Sequence, residues 1–173
     1  MTEKHKQDVG IIFGCFIPLH SGHEKLIRHS RNDHEHTIVA VCGKDGDRGQ
    51  DFIPFRDRIE LIREVFRNAK DVIVVCVDDD KIGMDGTFSL HNWDIWCQEL
   101  LNNAGLSGKE EIAWYMGEPS YAEKIRQLYP NHKIIVADRN ENQISGTKIR
   151  DNPEKYWRDI NARFQEYLKS SKI

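Results

Sequence analysis

The sequence predicts an α/β fold, a single domain built on an open five-stranded parallel sheet with helices on both faces. Three observations carry that expectation. Five short apolar runs rich in β-branched residues recur along the chain: 9–13, 37–41, 72–77, 111–116 and 133–137. Most of them are continuously apolar rather than alternating, which suits parallel strands covered on both sides. Amphipathic segments of helical period separate the runs, and strand–helix–strand alternation implies crossover units and hence a parallel sheet.

Taken in order, "VGIIF" is the first strand, and a helix is expected to begin near Ser21, since Ser21 and Glu24 form an S-x-x-E capping box. "TIVAV" is the second strand. The helix expected over 56–69 aligns Ile59, Ile62, Val65, Phe66 and Ala69 on one stripe, with charges opposite. Arg56 and Arg58 open that helix; an exposed amphipathic face explains them as well as a phosphate contact does. After the third strand, "VIVVCV", a helix over 92–104 aligns Trp93, Trp96, Cys97, Leu100 and Leu101. "EIAWYM" is the fourth strand. Ser120 and Glu123 form a second capping box, opening a helix to about Leu128, and "PNHK" turns the chain into the fifth strand, "KIIVA". The tail "RFQEYLKSSKI" reads as a closing helix that packs Phe164, Tyr167 and Leu168 on the body.

Length and composition fit one globular domain: 173 residues, 39% apolar and 31% charged, too apolar for a disordered chain. A net charge of −3 announces neither nucleic acid nor a membrane as partner, and no run is apolar enough to span a bilayer. The polar start "MTEKHKQDVG" lacks a secretory pattern, so a cytoplasmic location is expected. Cys15, Cys42, Cys76 and Cys97 form no C-x-x-C pair; Cys42 and Cys76 close apolar strands and are expected to be reduced, buried thiols. The segments 43–54 and 78–91 follow the second and third strands as long loops at the carboxyl edge, where open sheets bind ligands. The acidic run 78–80 reads as solvated loop rather than a metal site.

Two segments point to phosphate. In "GCFIPLHSGH" (14–23), His20 and His23 flank Gly22 at a helix start directly behind the first strand. A helix N-terminus offers unpaired N–H donors and about half a positive charge, glycine permits close approach, and imidazoles add donors that follow growing phosphoryl charge. In "ISGTKIR" (144–150), Ser145 and Thr147 supply hydroxyls, Gly146 close approach, and Lys148 and Arg150 positive charge. This segment follows the fifth strand and can face the first across the top edge of the sheet.

These two segments are similar to the G-x-F-x-P-x-H-x-G-H and I-S-x-T-x-x-R signatures of the HxGH nucleotidyltransferase superfamily, a Rossmann-like fold. Within it the chain resembles the NadR-type nicotinamide mononucleotide (NMN) adenylyltransferases through "NWDIW" (92–96), "EPSYAEKI" (118–125) and "DRNENQISGTKIRDNPEKYW" (138–157), from about Val9 to Trp157. The resemblance implies transfer of AMP from ATP to NMN, giving NAD and pyrophosphate. It implies catalytic contacts from His20 and His23 to the α- and β-phosphates, with Ser145, Thr147 and Arg150 on the β- and γ-phosphates and Lys148 adding charge. ATP contacts are further implied at Gly14, Cys15, Phe16, Gly22, Asp138 and Arg139, and Mg²⁺ carried on the ATP. Trp93 and Trp96 are expected at NMN, one stacking on the cationic nicotinamide and the other in the core, with Asn92 on the carboxamide.

Cys15 stands where NadR-type proteins usually carry lysine, so one positive contact is expected to be missing or supplied elsewhere. No P-loop is present, and a ribosylnicotinamide kinase activity is not expected. A pantetheine-phosphate adenylyltransferase, a cytidylyltransferase and a non-catalytic NAD- or ATP-sensing regulator are the competing readings. Whether the protein forms a homo-oligomer is left open.

Overall fold

The computed structural model describes residues 8–43, 53–78, 89–137 and 144–170. Five strands form one all-parallel sheet: β1 (Val9–Gly14), β2 (His36–Gly43), β3 (Val72–Asp78), β4 (Ile112–Met116) and β5 (Lys133–Val136). Their spatial order is β3-β2-β1-β4-β5. The chain steps outward from β1 to β3, then returns past β1 to lay down β4 and β5. The order therefore reverses between β1 and β4, and the crevice at that reversal is where open parallel sheets take ligands.

Successive strand residues point to opposite faces, and both faces are covered. On one side Ile11, Ile38, Ala40, Val77 and Trp114 pack with α3 (Leu90–Asn103) and α4 (Pro119–Leu128). On the other Ile12, Val39, Val41 and Tyr115 pack with α1 (Ser21–Asp33), α2 (Phe55–Val65), α5 (Gly146–Asp151) and α6 (Ala162–Ser170). Phe164 and Leu168 of α6 are buried there, as the tail pattern predicts. Continuous apolar strands are thus the direct consequence of a two-sided core. At Gly10 the backbone of β1 meets α1 so closely that a Cβ would stand 1.9 Å from Ser30 Oγ.

Several local expectations are revised. α2 ends at Val65, with Phe66 as its C-cap, rather than running to residue 69. α4 is capped by Glu118, whose carboxylate accepts from the Ser120 N–H, with Pro119 in the first turn; Ser120 is inside the helix and not its cap. Cys76 is half-buried rather than buried, and all four cysteines are thiols. Asp78 closes β3, while 79 and 80 lie outside the described residues, as do 44–52 and 81–88 of the two long loops. His132 is a satisfied structural histidine: its Nδ1 accepts from Trp114 Nε1 at 3.0 Å, and its Nε2 meets the Gly108 carbonyl at 3.0 Å. Among the described residues no helix is long and apolar enough to cross a membrane.

Candidate active site

The loop after β1 and the start of α1 form the centre of the site. Here the sequence expectation needs its largest correction. His20, not Ser21, is the N-cap of α1: its backbone is extended, and its Nδ1 accepts from the Gly22 N–H at 3.1 Å. His23, at the third helical position, completes the box by accepting from the His20 N–H at Nδ1, 3.3 Å away. Imidazole thus does the work usually given to Ser and Glu in a capping box. Ser21 Oγ instead donates to Asp159 Oδ1 at 2.9 Å.

This capping fixes the chemistry of both rings. An imidazole nitrogen that accepts a backbone N–H cannot carry a proton, so each neutral ring must hold its hydrogen on Nε2. The rings stack with centroids 3.7 Å apart, and the edge of Phe16 backs His23 at 4.7 Å. Burial pushes the His20 imidazole down to about 4; Asp159 opposes that shift and Arg150 adds to it. Burial, then the neighbouring His20, holds His23 well below its ordinary value. At neutral pH the pair is therefore two uncharged Nε2–H donors.

The glycines serve unequal purposes. A Cβ on Gly14 would stand 3.7 Å from His23 Nε2, so glycine there leaves room beside a donor atom. On Gly22 the corresponding space is already taken, by His20 Cε1 at 3.0 Å and Ile144 Cγ2 at 3.3 Å. Its missing side chain lets the His20 ring close the cap.

The second segment meets the first, as the position after β5 predicts. Ser145 caps α5 by accepting from the Lys148 N–H at 3.2 Å. Arg150 Nη1 donates to the Ile17 carbonyl at 2.8 Å, and its Nη2 to Thr147 Oγ1 at 3.3 Å. Part of the space between the segments is thus filled by the Arg150 guanidinium itself. Thr147 and Lys148 are exposed, and Gly146 passes close to Ile17, whose carbonyl would lie 3.3 Å from a Cβ there. Asp138 and Arg139 lie outside the described residues.

The aromatic residues lie at the end of β1 beside the same loop. Phe13 packs edge-on against Trp96 at 5.0 Å and against Trp93 at 6.2 Å, and Trp93 meets Tyr121 of α4 at 5.2 Å. Trp96 is buried at 7% exposure and belongs to the core, whereas Trp93 is half-buried. Asn92 is buried in the first turn of α3.

Three participants were not legible in the sequence. Ile160 forms an antiparallel bridge with His20, the Asn161 N–H donates to the Leu19 carbonyl at 2.9 Å, and Asp159 faces His20 as described. Roughly 140 residues separate them from the loop they brace, and no spacing rule spans such a gap. Arg58 is the fourth surprise. Expected on an exposed face or at a phosphate, it is 0% exposed, with Nη1 donating to the Cys15 carbonyl at 2.8 Å and to the Cys42 carbonyl at 3.3 Å.

The model of the cytidylyltransferase-like family matches residues 11–152, from within β1 to just past α5. The chain belongs to that family. Both phosphate-type segments fall inside the matched stretch. Across 91% of its length the chain is 28% identical to the trifunctional NAD biosynthesis/regulator protein NadR of Escherichia coli (strain K12), spanning 40% of that protein's own length. Among solved structures it is similar to a NadR protein in complex with NR, with a TM-score of 0.77 and 29% identity over 91% of this chain and 44% of that one. A NadR structure in complex with NAD and AMP-PNP aligns with a TM-score of 0.75 and 27% identity, over 94% of this chain and 47% of that one.

The buried histidines give stability a pH dependence whose sign is fixed. The unfolded chain binds protons on histidine near pH 6.5, while folded His20 does so only near 4 and folded His23 also well below 6.5. Between those values the unfolded state holds more protons, so stability is complete above about pH 6.5 and falls as pH drops toward 4. His20 alone accounts for about 3 kcal/mol over that range. His34, lowered by burial and hydrogen-bonded to Tyr115 Oη, acts in the same direction. Thermal unfolding is expected to show Tm falling steadily from pH 7 to pH 4.5. His20→Asn, which keeps a capping side chain without a titrating ring, is expected to flatten that slope.

Proposed function

We propose that the chain, as one domain over residues 1–173, is an adenylyltransferase that joins NMN to the AMP part of ATP, giving NAD and pyrophosphate. The observation that carries this reading is the pair of stacked, uncharged imidazoles with both Nδ1 atoms committed to backbone N–H groups. Such rings are permanent Nε2–H donors on phosphoryl oxygens, and the Thr147–Arg150 turn lies against the same loop. The likeness to NadR, and the NAD and AMP-PNP bound in one such structure, support the choice of substrates.

A phosphate oxygen of NMN attacks the α-phosphorus of ATP in line. The bond from that phosphorus to the bridging oxygen breaks, and the electron pair leaves with pyrophosphate. Such transfers ask a protein mainly to position reactants and to stabilise charge. His20 and His23, stacked on one another, donate to the α- and β-phosphates. Donors fixed before the reaction need no reorganisation as charge shifts, and that is the source of their effect. Ser145, Thr147, Lys148 and Arg150 take the outer phosphates, and Asp138 and Arg139, outside the described residues, are proposed as further ATP contacts. Gly14, Cys15 and Phe16 line the approach of the nucleotide. Mg²⁺ carried on the ATP would supply charge neutralisation of the triphosphate and would need few protein ligands, as is common for that ion. Trp93 is the face for the cationic nicotinamide, and Trp96 supports it from the core.

The test is a substrate panel. Purified protein with Mg-ATP is incubated with NMN, nicotinate mononucleotide or phosphopantetheine, and separately with CTP in place of ATP. NAD and pyrophosphate are expected from NMN. Turnover of phosphopantetheine alone, or with CTP alone, would replace this reading by one of its rivals, and binding of ATP and NAD without turnover would favour a regulator.

A further inference from the structure

The loop Gly14–His20 contains Phe16 at φ 53, a left-handed backbone that a bulky side chain adopts only when its surroundings impose it. The carbonyls on either side of Phe16 are both held by arginine. Arg150 Nη1 holds Ile17 O at 2.8 Å, and Arg58 Nη1 holds Cys15 O, also at 2.8 Å. The two guanidinium groups come from α2 and α5, two helices that both follow the loop in sequence, and they differ in exposure. Arg150 is partly open at the site, while Arg58 is fully buried and lies 5.1 Å over the Phe55 ring.

Burying a guanidinium is costly, and the fold accepts that cost where the donors have a definite task. Arg58 sits in the first turn of α2, and long helical side chains lean toward the N-terminus of their helix, here toward the carboxyl ends of β1 and β2. From there a continuous chain of contacts leads to the histidines. Arg58 fixes the Cys15 carbonyl; the next residue is the strained Phe16; the Phe16 ring backs His23; and His23 Nδ1 receives the His20 N–H.

We propose that Arg58 is a positioning residue for nucleotidyl transfer: through the Cys15 carbonyl it holds the loop in the one conformation that commits both Nδ1 atoms inward and leaves both Nε2–H groups for the phosphates. It touches no substrate. The inference rests on the adenylyltransferase reading for its kinetic consequence, but the state of the two imidazoles can be read without any turnover.

The experiment compares the wild-type chain with Arg58→Lys and Arg58→Gln, each checked for folding by circular dichroism. Imidazole ¹⁵N spectra at pH 7.5 report which nitrogen of His20 and His23 carries the proton. The wild type is expected to show a single Nε2–H form for both rings. Arg58→Gln is expected to show mixed tautomers and a kcat lower by roughly 100-fold, as a misplacement on the order of 1 Å produces, with KM for the acceptor nucleotide little changed. Arg58→Lys, which keeps the charge and a single donor nitrogen, is expected to recover part of that loss. Unchanged tautomers and unchanged kcat in folded Arg58→Gln would overturn the inference, as would a wild type with mixed tautomers. Should neither variant fold, the wild type still decides: slow exchange of the Arg58 guanidinium protons supports the clamp, and fast exchange refutes it. A wild type that fails to turn over would count against the proposed reaction, while leaving the tautomer test intact.

Discussion

Replacing His20 with asparagine is expected to lower kcat/KM for nucleotidyl transfer by about 10²–10³, the usual consequence of removing one prearranged donor from developing oxyanion charge. Asparagine is the informative choice, because alanine would remove two functions together. His20 caps α1 through Nδ1, and loss of a cap costs about 1 kcal/mol of stability by itself. Asparagine is among the best N-caps, so His20→Asn keeps the helix start while deleting the Nε2–H donor. His23→Asn should lose rate comparably, and the double variant should lose less than the product of the two. The rings stack at 3.7 Å and share one backbone hydrogen-bond circuit, so their contributions are coupled. Steady-state kinetics alongside thermal unfolding separates the two roles. Unaltered turnover in a folded His20→Asn would remove the imidazole from the mechanism.

The two tryptophans of α3 should separate sharply into stability and recognition. Trp96 is buried against Phe13, Leu100 and the sheet, and Trp96→Ala is expected to cost about 3–5 kcal/mol, a large share of the stability of an ordinary domain. Trp93 is half-buried and leans on Tyr121 and Phe13, so Trp93→Ala should cost far less stability. Its loss should appear instead in KM for the nicotinamide nucleotide, raised roughly 10- to 50-fold as a desolvated cation–π contact of about 2 kcal/mol disappears. KM for ATP should barely move. Trp93→Phe, which keeps an aromatic face, should restore most of the affinity. A Trp93→Ala protein with unchanged acceptor KM would place the nicotinamide elsewhere.

Why the tryptophans could not be told apart beforehand is instructive. Residues three apart on a helix share a face, so periodicity buries both or neither; Phe13 at the end of β1 decides, and its contacts are tertiary. The five strands were legible because both sheet faces are covered, which writes continuous apolar runs into the chain. The meeting of the two phosphate-type segments was legible for a topological reason: loops after β1 and β5 must emerge at the same edge of a parallel sheet. Caps were less so. Ser21 and Ser120 satisfy capping patterns that any compatible polar side chain can fill, and His20 and Glu118 fill them instead. Arg58 escaped because amphipathic patterning assigns arginine to solvent, and only the two carbonyls at the ends of β1 and β2 reveal why one is buried. Asp159 and Asn161 act on the loop from the far end of the sequence, where only the folded chain brings them close.

A crystal structure of the protein with Mg²⁺ and a non-hydrolysable ATP analogue would bear most directly on the central claim. The account predicts the α- and β-phosphates within hydrogen-bond distance of His20 and His23 Nε2, with the γ-phosphate reached from the Ser145–Arg150 turn on the opposite side. A triphosphate bound away from this loop, or histidines that keep Nε2 turned from it, would contradict the account.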